Sequence, residues 1–258
     1  MLAFEKTIWV ALTHGISSVS GIGESVWSDP AMVRKALGEI LGVLAATHGE
    51  IDLGAMIGSG QSHADSWKAA LEGKSEARLR EIADAIRDAF RAPRIWGISV
   101  PAPKALAALL GDDSDRAALK AGMQLASCLR ALRESGVGFL TIDFRGVPYA
   151  SPDKPSGPVM RNAEMYGWKR ALRFDALDRG LSARADADAI LVSGAGIDEL
   201  VPSWSSGGAI GGGLTDRFWK GEAAISSLPG RFFLFGEIPE NTSAAAIVEA
   251  GRALAALI

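Results

Sequence analysis

Ionisable side chains in this sequence fall repeatedly just behind short apolar runs. The run VGFLTID ends on Asp143 and is followed by Phe144 and Arg145. A carboxylate and a guanidinium two residues apart share one face of a continuing strand, where they could hold a polar substrate together or pair with one another. His14 follows the run TIWVALT, and His63 stands shortly behind LGAMIG. An imidazole in either place could move a proton near neutrality. Glu237 closes the run RFFLFG. His14, His63, Asp143, Arg145 and Glu237 are therefore the catalytic candidates, against the plainer readings of backbone-bonded loop histidines and a structural ion pair.

A second group is suited to binding. Gln61 and Ser193 also follow apolar runs, and Tyr149, Arg161, Glu164 and Tyr166 flank the proline-rich stretch VPYASPDKPSGP, which is too proline-rich for a helix or sheet interior. Trp219 lies in SSGGAIGGGLTDRFWKG, which lacks the GxxxxGK[ST] order of a phosphate loop and reads as a lid or a connection. These residues could line a substrate site, or be ordinary loop and cap polarity. His14, His63, Asp143 and Glu237 could offer nitrogen and oxygen donors to an ion, but neither HExxH nor CxxC occurs and no metal is assigned. No strand end carries a lysine for imine chemistry, and GSGQS is not a GxSxG elbow.

The elements that must position these groups alternate. Strand-like runs are 7–13, 53–58, 94–100, 137–143, 189–194 and 231–236, with a weaker one at 158–163; helical periodicity fills 31–47, 75–90, 113–135, 164–180 and 243–258. An eighth strand is unplaced, with the glycine-rich stretch near 207–213 as its candidate. The pattern predicts an α/β fold, a single-domain (β/α)8 TIM barrel over 1–258, with its site at the C-terminal strand ends.

Bulk properties narrow the partners. A net charge of -3, with 27 basic and 30 acidic residues, offers no basic field for nucleic acid. No apolar run approaches the ~20 residues that span a bilayer, so the expectation is a cytoplasmic protein without a membrane partner. The single cysteine, Cys128, falls on an apolar helical stripe and reads as a core residue. The expected partner is a small-molecule substrate; a homodimer is compatible with the sequence, which does not locate its surface.

Two segments carry a family resemblance. RIWGISVPAPKALAALLG with DRAALKAGMQLASCLRALRESGVGFLTID, and the C-terminal RFFLFGEIPENTSAAAIVEAGRALAAL, resemble the middle and the end of the uroporphyrinogen decarboxylase and cobalamin-independent methionine synthase barrel superfamily. The resemblance covers about a third of the chain. It implies methyl or other one-carbon transfer, or decarboxylation, on a carboxylate-bearing substrate, with a folate or a corrinoid as conceivable methyl donor; the alternative to an enzyme is a non-catalytic ligand-binding or subunit protein that keeps the barrel. Of that superfamily's strand-four motif only Asp143 carries over, Phe144 and Arg145 replacing an acid and a proline. With one cysteine there is no thiolate set for zinc.

Overall fold

Eight short strands alternate with helices, and each pairs in parallel with its sequence neighbour until the last closes on the first. They are β1 (Thr7–Ala11), β2 (His48–Asp52), β3 (Ile95–Pro101), β4 (Phe139–Asp143), β5 (Lys169–Phe174), β6 (Ala189–Val192), β7 (Ile210–Gly213) and β8 (Phe233–Glu237). The structure is a computed structural model and describes residues 7–13, 15, 23–57, 63–149, 153–176, 187–205, 209–225 and 233–257. The chain is a (β/α)8 barrel.

The helices that cover it are α1 (Pro30–Val43), α2 (Leu53–Ile57), α3 (His63–Leu71), α4 (Glu76–Ala89), α5 (Pro103–Leu109), α6 (Asp115–Cys128), α7 (Gly157–Met165), α8 (Ile197–Ser205), α9 (Asp216–Trp219) and α10 (Ala244–Ala255). Several start where local chemistry dictates. Asp29 accepts a hydrogen bond from the Ala31 amide ahead of Pro30, and Ser114 and Ser243 do the same for Ala117 and Ala246. Among the described residues no helix is long and apolar enough to cross a membrane.

Strand side chains alternate between two cores. Ile8, Val10, Ile98, Leu140 and Ile142 pack outward against the helices. Trp9, Phe139, Leu191, Phe233 and Phe235 form a separate interior cluster with small neighbours such as Ala171 and Ala189. Gly97 pairs with Phe139 across β3 and β4, and a Cβ there would lie 2.2 Å from the Phe139 ring. Its missing side chain makes the space that the ring fills.

Three expected elements differ. The run 53–58 is not a strand; residues 53–57 form α2, and β2 is the preceding HGEID. His48, expected at a helix end, is therefore the first residue of a strand. The run 158–163 lies inside α7, and the stretch expected to be a helix over 164–180 contains β5. In both missed strands the interior face carries charge, which breaks the apolar pattern that marks a buried strand. The glycine-rich segment does supply β7.

His48 lies at the barrel floor, its ring stacked 5.9 Å from Trp9, and burial pulls its pKa down to about 4. Unfolding returns it to the ordinary value of 6.5. A histidine depressed in the folded state contributes stability above its unfolded pKa, and that contribution is lost as pH falls through the window toward the folded value. Urea unfolding of the wild type should therefore weaken between pH 6.5 and about 4, by up to roughly 3 kcal/mol from this group. His48→Gln should flatten that part of the profile; an unchanged slope would remove His48 as its source.

Candidate functional site

Interior positions of β2 recur every second residue, so His48, Glu50 and Asp52 rise from floor to mouth on one face. Glu50 is fully buried in the middle. Its carboxylate is in contact with the Arg173 guanidinium from β5, and it accepts hydrogen bonds from Thr141 Oγ1 at 2.5 Å and Trp9 Nε1 at 3.2 Å. The Arg173 guanidinium also lies 4.9 Å over the Phe235 ring and 3.5 Å from Asp143 Oδ2. Burial draws Arg173 down to about 10, with the Glu237 charge acting the other way, so it is still a cation at neutral pH.

Above this pair the last residues of β2, β4 and β8 bring Asp52, Asp143 and Glu237 to the mouth. Arg145 is not a strand residue: it stands in the turn after β4 and folds back. Its Nε and Nη2 donate to Asp143 at 2.7–3.1 Å, its Nη1 donates to Glu237 Oε2 at 2.7 Å, and its backbone amide donates to Asp143 Oδ1 at 2.9 Å. Burial opposes the charge on Arg145, but the hydrogen bonds and charges of Asp143 and Glu237 outweigh it and hold its pKa above the ordinary value. The next residue, Gly146, has a φ of 71° and donates its amide to Asp175 Oδ2 at 3.0 Å. That left-handed turn favours glycine and directs the chain across the mouth.

Asp52 has a different character. Its carboxylate accepts from the Ala55 amide at 3.1 Å and from Ser99 Oγ at 3.4 Å. Burial raises its pKa, the Asp143 and Glu237 charges add to the rise, and the Ala55 and Gly54 amides act against it. Gly54 keeps Asp52 close to His63: a Cβ on Gly54 would lie 2.7 Å from Asp52 Oδ1 and 3.1 Å from the His63 ring. His63 is exposed, and its Nε2 accepts from Trp67 Nε1 at 3.2 Å, which places the ring proton on Nδ1.

Open space above the site has two lobes that share Arg145 and Asp175. One, of about 540 Å³, is lined by Asp52, His63, Trp67 and Asp143. The other, of about 1050 Å³, is lined by Ser193, Gly196, Thr215 and Arg217 on the β6–β7 side. The arrangement can bind a small polar molecule, transfer a proton at Asp52 or His63, and hold a developing charge against the carboxylate–guanidinium network. Carboxylates outnumber guanidiniums at the opening.

Of the sequence candidates, Asp143, Arg145, Glu237, His63 and Ser193 line this mouth or its ion-pair network. His14 and Gln61 lie outside the described residues. Tyr149, Arg161 and Glu164 line a separate cavity outside the barrel wall. Tyr166 packs against Trp168 with Arg133 over its ring, and Trp219 is fully buried under the barrel's covering helices instead of lying over a ligand. Glu50, Asp52, Arg173 and Asp175 were not among the candidates. Their signal is the period-two charge in HGEID and KRALRFD.

Cys128 is set apart from this chemistry, its thiol pushed up to about 11 by burial and then by the Glu76 charge. Among the described residues no three His, Cys, Asp or Glu side chains converge as a metal-ligand set.

No family model matches the chain, and no curated protein matches it in sequence. Among solved structures it is similar to the apo form of a homocysteine methyltransferase from Escherichia coli, with 14% identity, 96% of each chain covered and a TM-score of 0.38. The site is accordingly read from its own geometry.

Two outcomes follow for stability. Glu50→Ala leaves the Arg173 charge buried and unpaired and should cost about 3–5 kcal/mol, whereas Glu50→Leu with Arg173→Met should cost far less. Chemical denaturation of the three proteins checks this, and an equally costly double variant would count against the pair. Asp52 works in the opposite sense: a raised carboxyl contributes stability below its unfolded pKa and loses it as pH rises through the folded value. Asp52→Asn should therefore be more stable than the wild type at neutral pH, with the difference shrinking toward pH 4; a destabilised variant at pH 7 would reverse this sign.

Proposed function

We propose that this chain is a barrel enzyme that performs proton-assisted one-carbon transfer, most simply methyl transfer, on a small zwitterionic organic molecule. The observation that carries the reading is the asymmetry of the mouth. Asp143, Arg145 and Glu237 are locked in one ion-pair network, while Asp52 stands beside them with a carboxyl that burial favours in its protonated form. Groups whose environments drive their protonation apart are suited to separate acid and base roles.

In this reading the network binds and Asp52 transfers the proton. Arg145 keeps about 33% of its side chain exposed, enough for a substrate carboxylate to approach it. The surplus of carboxylates, including Asp175, favours a protonated amine on the same substrate. As the acceptor's nucleophile forms its bond to the methyl carbon and the donor's bond to that carbon breaks, protonated Asp52 gives its proton to the departing group, and the proton lost by the nucleophile returns to Asp52 by way of His63, whose ring would lie 3.1 Å from a Cβ at Gly54. The buried Glu50–Arg173 pair keeps β2 and β5 in place under the reacting groups and does not touch substrate.

A second reading, a cofactor-independent lyase or decarboxylase, has its own support. A protonated Asp52 close to a guanidinium is what a carbanion intermediate requires: the carboxylate held, carbon dioxide lost, and the proton delivered to carbon.

A thermal-shift panel of amino acids, simple carboxylates and simple amines at pH 7 identifies the ligand class, since specific ligands raise the melting temperature by mass action. Zwitterions should give the largest shift, and Arg145→Gln should abolish it. On the identified substrate, Asp52→Asn should lower kcat by about 10²–10⁴ with little change in KM. Wild-type turnover in Asp52→Asn would sink the assignment. Carbon-13 in the transferred methyl or in the substrate carboxylate separates the two readings, appearing on an acceptor in one and as carbon dioxide in the other.

A further inference from the structure

The cavity outside the barrel wall is not part of the mouth. It measures about 190 Å³, some six water molecules' worth of liquid volume, and lies between the β4 exit, β5 and the start of α7. Phe144, Tyr149, Met160 and Leu172 supply an apolar wall. Phe144 is stacked on Phe174 with ring centroids 5.6 Å apart, and Tyr149 meets Phe144 edge-on at 4.9 Å.

Two polar features are unexplained by the fold. Ser156 sits at the cap position of α7, but its hydroxyl caps nothing: the residue is 3% exposed, lines the cavity, and its Oγ is buried without a hydrogen-bond partner. An unmet buried hydroxyl is costly, and a ligand that bonds to it removes the cost. Arg161 folds back one helical turn so that its Nη1 lies 3.6 Å from where a Gly157 Cβ would be, which puts a guanidinium at the positive end of α7. Its charge has no carboxylate paired with it among the described residues. Arg170 also lines the cavity, with its Nε 3.5 Å from Asp188.

The acidic neighbours set the ligand's charge. Asp153 already accepts the Ser156 amide at 3.0 Å, and Glu164 stands at the rim. They oppose a dianion but leave a place for one negative charge between Ser156 and Arg161. The start of α7 packs closely on α6: a Cβ on Gly122 would lie 1.9 Å from the Pro155 carbonyl, and Asn162 donates to the Ala126 carbonyl at 2.6 Å.

We propose that this cavity is a second ligand site, separate from the mouth, which takes a small organic monocarboxylate: Arg161 and Ser156 bind its carboxylate and the Phe144–Tyr149 wall takes its apolar body. The site shares a backbone segment with the mouth, because Phe144 lies between Asp143 and Arg145. Binding there and binding at the mouth therefore act on the same turn.

Isothermal titration of the full chain with benzoate tests the site, with benzylamine and inorganic phosphate as the other arms. Benzoate should bind saturably at one site, with affinity reduced at least tenfold by Arg161→Gln and severalfold by Ser156→Ala, and unchanged within twofold by Glu237→Gln at the mouth. Benzylamine and phosphate should bind at least tenfold more weakly. Absence of saturable benzoate binding, its loss in Glu237→Gln instead of Arg161→Gln, or equal or tighter binding of phosphate or benzylamine would each overturn the proposal. Arg161→Gln and the mouth variant alter side chains that reach solvent, Ser156→Ala removes only a hydroxyl, and the circular dichroism spectra of all three report folding independently.

Discussion

A carboxylate and a guanidinium buried together in the middle of a barrel constrain everything built above them. Neither Glu50 nor Arg173 reaches solvent, and each would be intolerable there alone. Their contact joins β2 to β5 across the interior, and Thr141 and Trp9 bring β4 and β1 into the same hydrogen-bonded group. Four strands are thus tied at one height by polar contacts with directional preferences, where an apolar core would allow them to slide. The residues two positions further along, Asp52 and Asp143, inherit that alignment.

The mouth inherits charge as well as position. Arg173 reaches up toward Asp143, and Asp143 and Glu237 hold Arg145 from two sides, so the network is continuous from the barrel's centre to its opening. Asp52 borders this network yet is excluded from its guanidiniums, and burial together with two neighbouring carboxylates favours its neutral form. A proton-transfer group needs this kind of separation from its charged neighbours.

The barrel was legible where strands are apolar on both faces. TIWVA, IWGISVP, FLTID and FLFGE read as buried strands at once, and the helical periodicity over 31–47 marked α1. HGEID and KRALRF did not, because their inward faces carry the charges that make the site. Chemistry and strand recognition were in conflict there: the residues that matter most hid the elements that hold them. Asp143 and Arg145 were visible as an adjacent pair, but the Glu237 contact spans 92 residues and depends on barrel closure. Tyr149, Arg161 and Glu164 flank one loop in the sequence, and only the direction of α7 reveals that they line a cavity outside the barrel wall and not the mouth.

The two sides of the mouth are unlike in a way that bears on how such a protein could change. The interlocked acids and guanidiniums come from β2, β4, β5, β8 and the turn after β4, whereas the β6–β7 side mixes Gly194, Gly196 and Gly213 with Asp198, Glu199, Asp216 and Arg217, and of those glycines only Gly196 has open space where a Cβ would be. A side chain added at Gly196 would narrow the larger lobe while the ion pairs of the opposite wall kept their bonds. On the opposite wall Asp143, Arg145 and Glu237 hold one another, so no one of them can be exchanged without releasing a charge in its partners.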